Sequence, residues 1–142
     1  MRNISKIIIH CTATQQNTQV SSIINYWKLQ LGWKGYGYHR LIEANGNIVN
    51  LVDYSKNSNG AKGYNDVSIH IAYIGGINKF GGPIDNRTEK QKESMLKIIS
   101  EIVTSFDIND IRGHYQLPNV NKYCPCFDAL AEYKYILAKS LI

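Results

Sequence analysis

Possible metal ligands stand near the two ends of this chain, so a fold that uses them must bring its first strand beside its last quarter. A β-branched run, Lys6-Ile7-Ile8-Ile9, delivers His10, and Cys11-Thr12-Ala13-Thr14 follows. Far downstream come Arg112-Gly113-His114 and then Lys122-Tyr123-Cys124-Pro125-Cys126. Two imidazoles and a thiolate are ligand types that Zn²⁺ prefers, and three protein ligands with an open position form the catalytic arrangement. A structural zinc ribbon would show four ligands in two close pairs. The pattern here favours hydrolytic chemistry.

The segments between the ligands read as alternating strands and helices. Ile4 to His10 is a buried strand. Ser21 or Ser22 can cap a helix carrying Ile23, Ile24, Trp27 and Leu31, which Gly32 would stop. Tyr38 to Glu43 and Ile48 to Val52 flank Asn45-Gly46, the signature of a tight hairpin turn. Val67, Ile69, Ile71 and Tyr73 alternate with Ser68, His70 and Ala72, giving a strand that Gly75-Gly76 ends. After a polar loop through Asn86, Thr88-x-x-Gln91 matches a capping box. It opens a helix with Met95, Ile98, Ile99, Ile102, Val103 and Phe106 on one face. Ile111 to His114 is a short strand. Phe127 to Leu141 is a last helix, with Leu130, Tyr133, Ile136, Leu137 and Leu141 as its buried stripe. The expected fold class is α/β, one sheet with helices packed on both sides, and residues 1–142 form a single domain.

Composition narrows the function without choosing it. With 44% hydrophobic and 19% charged residues the chain is globular, and no segment approaches the roughly 18 apolar residues of a membrane helix. The apolar run at the N-terminus is too short for a signal-peptide core and ends directly on His10, so it reads as the first strand. The expectation is a protein made in the cytoplasm without a signal peptide. Three cysteines do not make a disulfide framework and suit a thiolate kept free for metal. The net charge of +5 is scattered over the chain and accompanies no nucleic-acid-binding motif. It fits a solvated surface with some attraction to an anionic polymer such as bacterial cell wall. No nucleic acid and no membrane insertion are expected, and nothing demands more than a monomer.

The words around the ligands carry a resemblance. His10-Cys11-Thr12-Ala13-Thr14, Gly32-Trp33, Gly37-Tyr38-His39, Gly60-Ala61-Lys62-Gly63-Tyr64-Asn65, Ser68-Ile69, Gly75-Gly76, Gly113-His114 and Lys122-Tyr123-Cys124-Pro125 occur in one order. In order and spacing they resemble the zinc-dependent N-acetylmuramoyl-L-alanine amidases, the family that includes small phage lysozyme-amidases and the peptidoglycan recognition proteins. The likeness runs from about Ile4 to Asp128. It implies a mixed sheet with a zinc cleft on one side. It also implies hydrolysis of the amide between the lactyl group of N-acetylmuramic acid and the L-alanine of the stem peptide. A phage or prophage endolysin, or a delivered antibacterial effector acting on the wall in the periplasm, would fit. A non-catalytic peptidoglycan-binding receptor is the alternative, though receptors of this family typically lose the cysteine that this chain keeps.

The resemblance maps the zinc ligands onto His10, His114 and Cys124, with Cys126 as competitor for the thiolate. It places the catalytic tyrosine and lysine at Tyr38 and Lys122. Cys11, out of phase with His10, reads as a small buried hydrophobe facing the other side of the sheet, and His39 as a packing or surface residue. Trp33, Tyr36, Tyr64 and Asn65 are candidate substrate contacts beside Gly-rich loops. Arg40, Lys62 and Arg112 are candidates for stem-peptide carboxylates. Two departures matter. Many relatives carry histidine before the Ala-Lys-Gly-Tyr-Asn word, where this chain has Gly60. The Ser-Ile word usually continues with glycine, where this chain has His70. His70 has three readings: it projects into the cleft and contacts substrate in place of the missing imidazole, it is a hydrogen-bonded structural histidine, or it is an extra zinc ligand, disfavoured because the site would then close.

Overall fold

A computed structural model describes residues 2–140. The elements run β1 (Lys6–Cys11), α1 (Val20–Asn25) continuing into a π-helical turn (Tyr26–Gln30), β2 (Arg40–Ile42), β3 (Ile48–Asn50), a 3₁₀ turn (Asn65–Val67) and β4 (Ser68–Tyr73). After these come α2 (Glu89–Ser105), β5 (Asp110–Gly113), a second 3₁₀ turn (His114–Gln116) and α3 (Ala129–Ser140). The strands lie in the order β3-β2-β4-β1-β5. β1 is parallel to β4 and to β5, β2 is parallel to β4, and β3 is antiparallel to β2. The sheet is therefore mixed.

β1 and β4 occupy the middle of the sheet, so their residues alternate between two buried faces. Ile7, Ile9, Cys11, Ile69, Ile71 and Tyr73 pack against Met95, Ile98, Ile99 and Ile102 of α2 and Ala129, Tyr133 and Ile136 of α3. Each fully buried isoleucine there contributes about 1.5–3 kcal/mol relative to exposure. On the opposite face, Leu41, Ala72 and Ile74 lie under Ile23 and Trp27 of the α1 segment. Helices thus cover both sides. The capping box forms with both reciprocal bonds: Gln91 N–H donates to Thr88 Oγ1, and Thr88 N–H to Gln91 Oε1, each at 3.0 Å. The Gln91 amide then donates to the carbonyls of Ile42 and Ile74 at 3.1 Å, fastening the start of α2 to the ends of two strands.

Four local expectations are corrected. The α1 cap position is Gln19, which makes no side-chain bond, and Ser21 and Ser22 lie inside the first turn. Leu31 is exposed, because the wider π turn carries it off the face that Trp27 buries. The hairpin loop spans Ala44, Asn45 and Gly46 rather than two residues: Glu43 N–H donates to Asn47 O, and Gly46 N–H donates back to Glu43 O. In α3, Tyr133 and Ile136 are buried and Leu137 is partly so, but Ala129 takes the buried place given to Leu130, which is 37% exposed. Asp128 caps this helix through Ala131 N–H, which places Ala129 against the sheet and turns Leu130 outward. Leu141 lies outside the described residues.

Candidate functional site

His10 is the penultimate residue of β1, on the face opposite Cys11. The pairing of Ile9 with Gly113 places His114, the next residue, beside it, with ring centroids 4.8 Å apart. The third group arrives on the loop that follows Leu117. Gly113 makes this possible, since a Cβ there would lie 2.6 Å from Pro125 Cδ. Only a bare backbone lets the loop press so close. Tyr73, a core residue of β4, reaches across with its hydroxyl and donates to Pro125 O at 2.7 Å. Tyr115 N–H donates to Cys124 O at 2.9 Å. The Cys124 sulfur is left 3.8 Å from His10 Nδ1 and accepts the Cys11 backbone N–H at 3.2 Å.

One ligand atom from each of His10, His114 and Cys124 lies within 4.8 Å of the others, and the three could hold a metal ion. Nitrogen and sulfur ligands at zinc bond lengths in a tetrahedron stand about 3.6 Å apart, close to the spacing of His10 and Cys124. The donor set fits. Cys126 points elsewhere: its thiol donates to Gly76 O at 3.4 Å. Burial, with Cys11 close by, pushes that thiol up to about 12. Both histidines are held in the neutral form a metal ligand needs. Burial, reinforced by His70, His114 and Lys122, keeps His10 well below its ordinary range. Burial and Lys122 bring His114 down to about 4.

Tyr38 stands against His10, ring centroids 5.1 Å apart, and its hydroxyl donates to Cys11 O at 3.2 Å. Burial first, then the nearby Cys124 and Cys11, raise that hydroxyl well above the usual phenol range. Lys122 is exposed on the rim. A groove of about 800 Å³ runs past His114 and Lys122, and Trp33, Tyr64 and Asn65 are among the residues that line it. Lys122 also borders a smaller cavity of about 370 Å³ with Ile84 and Tyr123. Of the three basic candidates only Lys62 lines the groove. Arg40 is spent on the carbonyls of His39 and Val52, and Arg112 on Asp110 and Gln116 O. Tyr36 packs near Trp27 outside the groove lining.

The expectation that His70 enters the cleft is corrected. It is wholly buried, behind His10, with its Nδ1 2.8 Å from His10 Nε2 and its Nε2 2.8 Å from Asn65 Oδ1. The parallel strands are responsible: Ile8 pairs with His70 and His10 with Ala72, so the two histidines are diagonal neighbours on one face. His39 is buried against His70, its Nδ1 accepting the His70 backbone N–H at 3.0 Å, and Cys11 sits in the main core. Sequence reasoning missed the internal task of Asn65 and the contribution of Pro118 to Asn121 to the groove wall. No residue pattern in that segment announces either.

Residues 1–127 match the family model described as N-acetylmuramoyl-L-alanine amidase. The endolysin of Escherichia phage T7 is 32% identical over 124 residues, covering 86% of this chain and 80% of the relative. Among solved structures, the N-acetylmuramoyl-L-alanine amidase LysC of Clostridium intestinale superposes with a TM-score of 0.75 at 24% identity. The match covers 99% of this chain and 87% of that one. The PGRP-SA of Apis mellifera gives a TM-score of 0.75 at 23% identity, over 94% and 83% of the two chains.

Proposed function

This chain belongs to the N-acetylmuramoyl-L-alanine amidase family. On that premise we propose that it holds one zinc ion on His10, His114 and Cys124 and hydrolyses the amide between the muramic acid lactyl group and the L-alanine of the stem peptide. It is a peptidoglycan amidase related to phage endolysins. The observation that carries the zinc reading is the two imidazoles and one sulfur converging within 4.8 Å beside a groove of about 800 Å³. Bound there, zinc supplies Lewis acidity toward the scissile carbonyl and a water of lowered pKa.

The chain's own residues do the rest. Lys122 brings an exposed positive charge to the groove rim, and its field reaches both histidines. That charge stabilises the negative charge developing on the substrate carbonyl oxygen. Tyr38, with its hydroxyl pushed well above the phenol range, keeps its proton at neutral pH. It therefore acts as a hydrogen-bond donor near His10 and not as a base. Trp33 and Tyr64 offer faces for sugar or peptide, and Lys62 a charge for a stem-peptide carboxylate. Residues 1–142 act as one catalytic domain, and the wall polymer is the partner.

The test is digestion of purified peptidoglycan, reading the ends released. New L-alanine amino termini, abolished by chelator and restored by zinc, are the expected result. Release of reducing sugar ends without amino termini would overturn the assignment of the bond. Wall binding with no new ends would return the receptor reading.

A further inference from the structure

A chain of hydrogen bonds runs behind the metal cluster, and each link leaves one protonation pattern. Ala61 N–H donates to Asn65 Oδ1 at 2.9 Å, which identifies that atom as the amide oxygen, an acceptor. His70 Nε2 lies 2.8 Å from the same oxygen and must meet it as N–H. A neutral imidazole carries one proton, so His70 Nδ1 is an acceptor. His10 Nε2, at 2.8 Å, donates to it. His10 Nδ1 is then the atom with the free lone pair, and it is the nitrogen that faces Cys124 Sγ.

We propose that His70 is a positioning residue for the metal site, selecting the tautomer of His10 and aiming its Nδ1 through the chain Ala61–Asn65–His70–His10. This rests on the zinc reading above. Outer hydrogen-bond partners of this kind fix the orientation and basicity of a ligating histidine. The backbone of His70 is itself pinned: its N–H donates to His39 Nδ1 at 3.0 Å, and its carbonyl accepts the His39 N–H at 2.9 Å. Gly60 is the other half of the device. A Cβ at position 60 would lie 2.3 Å from Cγ and Nδ1 of His70. The imidazole thus fills the volume that a side chain from 60 would enter, and either position can supply a ring to that volume but not both.

The experiment measures zinc affinity of the full chain by chelator competition, with circular dichroism melting of each metal-free protein as the check on folding. Wild type is expected to bind one zinc. H70G and G60H should each weaken binding by about 10- to 100-fold, and the double variant G60H/H70G should recover most of that loss. N65D, which keeps both acceptor roles, should bind like wild type, while N65L should fall with H70G. Folded H70G and N65L that hold zinc as tightly as wild type would overturn the proposal, as would a double variant no better than either single one. If H70G fails to fold, the contrast between N65D and N65L decides by the same criterion. Absence of zinc binding by wild type would instead overturn the metal reading itself, and with it this inference.

Discussion

The two faces of the central strands are built from the same stretches of chain, one residue out of step, yet they hold by different means. On the α2 and α3 side, Ile7, Ile9, Ile69 and Ile71 contribute through buried area, which is non-directional and tolerates changes of shape. On the other side, beside the apolar cluster of Leu41, Ala72 and Ile74, His10 and His70 occupy equally buried positions but are held by directional bonds of 2.8 Å. One face should therefore report damage as lost stability, and the other as lost chemistry.

Cys124→Ala separates the faces most sharply. Peptidoglycan hydrolysis should drop at least about 10³-fold, the equivalent of roughly 4 kcal/mol, while the urea midpoint of the metal-free protein moves little. A large drop in that midpoint would show that the site also holds the fold together. Ile71→Ala is the mirror experiment. It should cost about 2–5 kcal/mol in urea unfolding with kcat of the folded fraction nearly unchanged, and a selective loss of kcat would break the comparison. Lys122→Met should lower kcat by about 10²-fold and leave stability alone, since the side chain is exposed. An unchanged kcat would remove Lys122 from the chemistry.

The smallest effect is on pH. His39 and His114 stand at about 4 in the fold against an ordinary 6.5, so between those values the unfolded chain binds more protons. Stability of the metal-free protein is full above about 6.5 and falls as pH falls toward about 4. Urea midpoints measured across that range check it. A flat profile would mean that burial does not keep these rings neutral.

Much of this architecture was legible because local and global signals agreed. The isoleucine run of β1, the alternation through β4 and the Thr88–Gln91 box each announce an element that tertiary packing then reinforces. The cluster of His10, His114 and Cys124 followed from ligand chemistry together with family words. What stayed hidden depends on geometry with no local sequence signal. The π turn after Asn25 moves Leu31 into solvent although its spacing from Trp27 is helical. Asp128 starts α3 so that Ala129, not Leu130, faces the core ahead of Tyr133 and Ile136. The fate of His70 turned on which strand lies beside β4 and in what register, and nothing near position 70 states either. Gly60 and His70, two separate oddities when read along the chain, become one exchange when the ring is found in the space above the glycine.

The hydroxyl of Tyr73 has a practical meaning for redesign. It ties a core side chain to the carbonyl of Pro125, so the ligand-bearing loop is moored to the scaffold at a point independent of its own sequence. A different loop, recruited to handle a different wall chemistry, could be grafted between Leu117 and Phe127. It would need to keep the sulfur and the Lys122 charge, and to offer one carbonyl to that waiting oxygen.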